Sequence, residues 1–407
     1  MRLTIVPFLL SLTSLPACTA DGAEDTEGAS TDAATTGGTD GTGGTGEPTT
    51  GEPADLNDRE LGASASALCV SGMTHAAQLT QAIASGDAAA ASAAYVGTDL
   101  QTFVQQFKTE AERLDDPAIV ASLADGSPLE LAAAEARLHS ALARHLRDQL
   151  SAVEGGAEDK YAAWDEVHCV WTGALRSLAV AADAVDWHTV DETIVDDIDA
   201  ALQAGHDGIS GEPPATALDD WRVPPSKQIV EKSLFRAAHR VIIDLAGAAR
   251  DNADPVAART ALELFGIVED RLKDRNTPGI AQVKAILTGD PAMIDPDAIL
   301  TELDIAFAKR TRTYSAIPDD ELGVPGGYKS AVEGHTYALL VAPGLAARVP
   351  ATPVAAFIGE WGAYPDLVRA ADLDAAHDLS DRLVDMICAY QTALGIAACT
   401  PDADETE

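Results

Sequence analysis

Basic residues are scarce in this chain. The 27 Lys and Arg face 65 Asp and Glu, giving a formal net charge of −38 and a pI near 4.3. A field of that sign repels phosphate backbones and anionic headgroups, so nucleic-acid binding is set aside as a function class. Aromatics are thin too, at 5% of the chain, which leaves the core to Ala, Leu, Val and Ile and lets helices approach closely. Alternating β-branched runs are few, so a sheet protein is not expected. Catalytic signatures are missing as well: there is no Gly-x-Ser-x-Gly, no His-Glu-x-x-His and no phosphate-binding Gly-rich loop. An enzyme is the least favoured class.

The N-terminus carries Arg2, an apolar run, and Leu15-Pro16-Ala17 directly before Cys18. The run is too short for a transmembrane helix and predicts a secretory signal over 1–17. Residues 18–57 are Gly, Thr, Ser, Pro and acid, with no Lys or Arg. Such a stretch cannot bury enough surface to offset its ordering entropy, and it predicts a self-repelling tether. Residues 400–407 form a second acidic end. Beyond Cys18 there are four cysteines, Cys69, Cys169, Cys388 and Cys399. An even number in an exported chain suggests two disulfides, with three possible connectivities. Cys388 and Cys399 could close a small loop, and the Cys169 neighbour of His168 leaves a Cys/His metal site conceivable.

The remaining residues have helical spacing and abundant Ala, Leu and Glu, so the fold class is all-α. Helices are expected over 59–85, 87–114, 127–153, 157–185 and 189–204. A Gly/Pro-rich connection at 205–225 then precedes helices over 226–251, 254–275, 279–287, 295–313, 326–348, 354–371 and 374–396. Several landmarks occur twice. Tyr161, Glu166 and His168 are matched by Tyr328, Glu333 and His335, each 167 residues on. His75 answers to His239, Asp87 to Asp254, and Ser127-Pro128 to Asp295-Pro296 at nearly the same offset. The expectation is a tandem duplication of a bundle-like unit of about five helices, over 58–225 and 226–399, with a C-terminal helix.

The duplicated histidines are the candidate site. On a helix Tyr161, Asp165 and His168 share a face, while Glu166 and His168 lie about 200° apart and cannot both reach one metal. Imidazole and carboxylate from facing helices are how bundles hold iron, manganese or zinc. The candidate ligands are therefore His75, Asp165, Glu166, His168, His239, Glu333 and His335. His75 is expected to approach His168, and His239 to approach His335. The competing expectation is ordinary packing, with Glu333 in a salt bridge to Lys329. Gly205-His206-Asp207-Gly208 reads as a loop without a role.

Leu-x-Ala-Cys at residues 15–18 resembles the lipobox of bacterial lipoproteins, which implies that Cys18 is lipidated. Thr19 rather than Asp after it leans towards the outer membrane. The paired helical units, residues 330–337 and the exported location resemble the low-iron-inducible periplasmic proteins of algae and their bacterial relatives. That family is associated with extracellular iron assimilation and implies no binding residues here. The chain is also similar in outline to the imelysin-like family, exported helical repeat proteins tied to iron uptake, whose signature is Gly-x-His-x-x-Glu. Here Gly334 and His335 are adjacent and Ala338 stands in place of the Glu. The resulting expectation is an envelope protein, lipid-anchored through Cys18, that binds iron or another transition metal or assists its uptake alongside iron-uptake components. The alternative is a metal-free helical structural or protein-interaction module.

Overall fold

Helix starts are set by short polar side chains. Ser66, Asp87, Ser127, Asp159, Thr193, Asp254, Asp295 and Asp372 each accept a hydrogen bond from a backbone N–H in the following turn, satisfying donors that the helix itself leaves open. The structure is a computed structural model, and it describes residues 59–107, 115–185, 193–213, 216–273 and 275–399. The expected signal over 1–17, Cys18, the tether over 18–57 and the acidic tail over 400–407 lie outside the described residues.

The fold is all-α. In chain order α1 is Ala67–Ala84, α2 Ala88–Tyr95, α3 Asp99–Gln105, α4 Asp115–Asp125 and α5 Pro128–Gly155. Then come α6 Lys160–Val170, a π-helical turn Trp171–Leu175, α7 Arg176–Asp183 and α8 Ile194–Asp207. A two-residue antiparallel hairpin, β1 Ile209–Ser210 and β2 Ala217–Leu218, pairs Ile209 with Leu218. The chain continues with α9 Val223–Asn252, α10 Pro255–Leu264, α11 Glu269–Lys273, α12 Thr277–Leu287 and α13 Pro296–Tyr314. It ends with α14 Pro325–Arg348, α15 Val354–Ala370 and α16 Leu373–Ala393.

Several expected boundaries move, for local reasons. Residues 59–66 are not helical but lie as a strap along α6, because Asp165 draws off the Gly62 and Ser64 amides. The helix expected over 87–114 breaks at Gly97, whose φ of +76° ends the α2 turn. Within 205–225 the chain makes the hairpin, and α9 starts three residues earlier than expected, with Pro224 and Pro225 in its first turn. The helix expected over 254–275 is divided by a 3₁₀ turn at Phe265–Ile267.

The long α9 sits centrally, packed against α7, α8, α10 and α14. Consecutive helices pack on one another, α1 on α2, α4 on α5, α5 on α6, α9 on α10, α12 on α13 and α13 on α14. The halves also share interfaces, α8 on α9 and α5 on α10. Trp164, Trp171 and Trp361 are fully buried in a core that also holds buried Tyr and Phe, among them Tyr95, Phe235 and Tyr390. Cys69 is disulfide-bonded to Cys169 and Cys388 to Cys399. Among the described residues no helix is long and apolar enough to cross a membrane.

Candidate functional site

The repeated Tyr–Glu–His pattern lies on α6, one turn of which is tied down on every side. Tyr161 donates its hydroxyl to the Ile209 carbonyl at 2.7 Å, and Trp164 Nε1 donates to the Leu202 carbonyl at 2.8 Å. α6 is thereby fixed to α8 and to the hairpin. Gly205 permits this approach, since a Cβ there would lie 2.0 Å from the Trp164 ring. His206 therefore stands in the last turn of α8, not in a loop, and it is fully buried.

Between the two helices is Asp165, also fully buried. Its Oδ1 accepts the Gly62 amide at 2.8 Å and its Oδ2 accepts the Ser64 amide at 2.7 Å. His206 Nε2 is 3.6 Å from Asp165 Oδ1. His168, one turn along α6, faces the same strap. Gly62 has φ +92°, and a Cβ on it would come within 2.8 Å of His168 Nδ1. Burial lowers the pKa of His168 and of His206, with the Asp165 charge opposing in each case. Arg59 closes the strap, its guanidinium 4.5 Å from the Tyr161 ring centroid and paired with Glu212.

Glu166 faces away from this group, as its angular position on the helix requires. It accepts the Ser66 hydroxyl at 2.9 Å and lies 3.4 Å from His145 Nε2. Burial works against its charge, but the hydrogen bonds from His145 and Ser66 outweigh it and hold the carboxyl below its usual range. The Cys69–Cys169 bridge then joins the start of α1 to the end of α6.

Glu333 and His335, which repeat the spacing of Glu166 and His168, have different surroundings. Glu333 is buried and is 3.3 Å from Lys232 Nζ and 3.6 Å from Arg310. These cations of α9 and α13 hold it, in contrast to the expected bridge to Lys329. Lys232 also donates to Glu231 at 2.7 Å, and Glu231 in turn lies 3.2 Å from Arg147 and 3.7 Å from Arg271. Burial disfavours the Lys232 charge, yet Glu231 and Glu333 more than reverse this and push its pKa up. The result is a buried ionic network joining α5, α9, α11, α13 and α14.

His239 is buried with Nε2 3.0 Å from Asp304 Oδ1, and Tyr390 donates its hydroxyl to the other oxygen of Asp304. His335 packs near Gly362, and burial pulls its pKa down to about 4, Asp197 opposing and Arg236 adding to the effect. His75 sits on the outer side of α1, its Nδ1 3.2 Å from Gln78. The structure thus brings Asp165 close to His206, sets His168 against Gly62, and gives His75, Glu166, His239, Glu333 and His335 separate neighbours. The expected approach of His75 to His168 is replaced by the His75–Gln78 contact, because His75 lies on the outward face of α1. That of His239 to His335 is replaced by the His239–Asp304 pair across α9 and α13. Among the described residues no group of three or more His, Cys, Asp or Glu is drawn together closely enough to hold a metal ion.

An open cleft of about 380 Å³ is lined by Asp115, Arg137, Arg144, Glu263, Glu269 and Lys284, among others. Its cations are paired: Arg137 with Glu263 at 2.9 Å, Arg144 with Asp115, and Lys284 with Glu269 at 2.7 Å. Sequence reasoning missed His206, Asp304 and the ionic face of α9. His206 lies outside the repeated pattern, and its only signal is the Gly205 beside it, a close-approach residue within a helical turn. No protein-family model matches this chain, and no curated protein or solved structure shows significant similarity to it.

Proposed function

We propose that this chain is an envelope protein, attached through Cys18 and a tether, that captures a transition-metal ion, iron foremost, between α6 and α8. One observation carries the reading. The imidazole of His206 stands with Nε2 3.6 Å from the fully buried carboxylate of Asp165, and His168 lies one turn further along the same helix, against Gly62. Two imidazoles and one carboxylate are a donor set suited to iron, zinc or manganese. The acidic surface, with 65 acids to 27 bases, draws cations towards it. Calorimetry with ferrous iron and with zinc tests the reading on the parent and on His168→Ala/His206→Ala. One equivalent bound by the parent and none by the double variant is the expected result. Equal binding by both would remove the site.

A second reading is a metal-free interaction module. It is favoured by the way Glu333 and Asp304 are engaged inside the protein, the first by Lys232 and Arg310, the second by His239 and Tyr390. On that reading the buried polar groups serve rigidity, and the purified protein carries no metal.

A further inference from the structure

The cleft lined by α4, α5, α10, α11 and α12 shares none of the residues of the metal reading and has its own chemistry. Its charged lining is three basic side chains, Arg137, Arg144 and Lys284, and three acidic ones, Asp115, Glu263 and Glu269. That is an even balance in a chain of 27 bases to 65 acids. Such a place favours neither a free cation nor a free anion. Its volume of about 380 Å³ is that of a small-molecule site. One wall is already fixed. Arg137 holds Glu263 through Nε at 2.9 Å and Nη2 at 3.0 Å, and its Nη1 is spent on Ser122 and the Ala118 carbonyl. Arg259 takes the same carboxylate at 2.9 Å, and the Ser140 hydroxyl donates to the Glu263 carbonyl at 2.6 Å. These bonds tie α5 to α10 before any ligand arrives, which lowers the ordering cost of binding.

Arg144 and Asp115 are less fully used. They pair through Nη2 and Oδ2, and among the described residues Arg144 Nη1 and Asp115 Oδ1 make no hydrogen bond. The two side chains are 20% and 22% exposed, so solvent and solutes reach them. Arg144 Nη1 stands 3.8 Å from where a Cβ on Gly266 would lie, on the 3₁₀ turn at Phe265–Ile267. An open donor and an open acceptor thus belong to one ion pair that is already formed. We propose that this cleft binds a small zwitterion carrying a carboxylate and an ammonium group, the class of free α-amino acids. The carboxylate accepts from Arg144 Nη1, with Lys284 as the second cation, and the ammonium donates to Asp115 Oδ1. Both are charge-assisted hydrogen bonds. The Arg144–Asp115 pair stays intact, so nothing has to be displaced and the charge balance of the cleft is unchanged. Leu262, also in the lining, offers the ligand an apolar surface.

Ligand-observed NMR on the full chain, with the standard amino acids presented in small pools, identifies the ligand. At least one should bind. Calorimetry then compares that amino acid with its N-acetyl and its carboxamide forms, each of which lacks one charged head. Both should bind about ten-fold more weakly or worse, the worth of one charge-assisted hydrogen bond. Arg144→Gln and Asp115→Asn should each weaken the free amino acid by a similar factor, and His168→Ala/His206→Ala should bind it as the parent does. No binding by any of the pools overturns the proposal. An N-acetyl form that binds as tightly as the free amino acid also overturns it and makes the cleft a plain anion site. Binding that Arg144→Gln and Asp115→Asn leave intact puts the ligand elsewhere and does the same. The comparison of the three ligand forms is made on the parent protein, so it decides the matter even if a variant folds poorly.

Discussion

Glu333→Gln is the sharpest probe of what the second half is built for. The carboxylate lies 3.3 Å from Lys232 Nζ and 3.6 Å from Arg310, and the Lys232 and Glu333 side chains are each 5% exposed. At an effective dielectric of about 20, the Lys232 contact alone is an attraction of about 5 kcal/mol before desolvation is counted. Gln keeps the shape and removes the charge, leaving Lys232 to rely on Glu231, which already serves Arg147 and Arg271. Removing one partner of a buried pair costs about 3–5 kcal/mol, a large share of the 5–15 kcal/mol typical of a folded domain. Urea unfolding followed by circular dichroism measures the loss. The double variant Lys232→Met/Glu333→Leu, which withdraws both charges, should recover most of it, and the cycle yields the coupling directly. A Glu333→Gln cost below about 1 kcal/mol, with no coupling to Lys232, would refute the network. A metal-dependent cost would instead return Glu333 to the ligand role its spacing suggested.

Acid should destabilise the protein through His335, whose pKa is about 4 when folded against about 6.5 when unfolded. The unfolded chain takes up the proton first, so stability falls as pH drops from about 6.5 to about 4. The loss is at most about 3 kcal/mol and smaller because solvent reaches part of the ring; His335→Gln should flatten that portion of a stability–pH curve. Replacing both Cys69 and Cys169 with Ala should cost more than replacing Cys388 and Cys399, since the bridges span 100 and 11 residues and loop entropy scales to about 4–5 and about 3 kcal/mol respectively. Thermal unfolding of the two double variants ranks them. If the halves descend from one unit, Ser233→Cys/Thr336→Cys should form a bridge spontaneously in air, in the place matching Cys69–Cys169. A pair that stays reduced by thiol titration counts against the duplication.

Much of the helix layout was legible because its signals are local. Caps such as Ser127 and Asp295 act within one turn, so spacing alone located α5 and α13. The site was legible only in part. Asp165 and His168 could be placed on one face of α6, but the residue Asp165 meets, His206, lies in the last turn of α8, just past the helix expected over 189–204, and only packing against Trp164 explains its position. The strap escaped altogether. Its sequence is compatible with helix, and what unwinds it is a carboxylate about a hundred positions away. α9 misled in a related way. Its charged residues Glu231, Lys232, Arg236 and Arg240 carry no sign of burial in their spacing, yet all are buried, with partners on other helices such as Arg147 for Glu231 and Asp197 for Arg236.

The two halves use one spacing for two purposes, and the difference traces to the helix that each pattern faces. α6 looks onto the start of α1, where residues 66–75 carry Ser66, Cys69 and an outward His75. α14 looks onto α9, where the corresponding stretch carries Lys232, Ser233, Arg236 and His239, all buried. If the halves are copies of one unit, Cys69 falls on Ser233 and Cys169 on Thr336, both of them buried. At the same offset of 167 residues Asp165 would fall on Val332, which carries no charge. Glu333, freed from facing a strap, meets Lys232 and Arg310 instead. The first half thus keeps its buried carboxylate, Asp165, tied to residues 62 and 64. The second half holds α9 rigid against it through charges that are already paired.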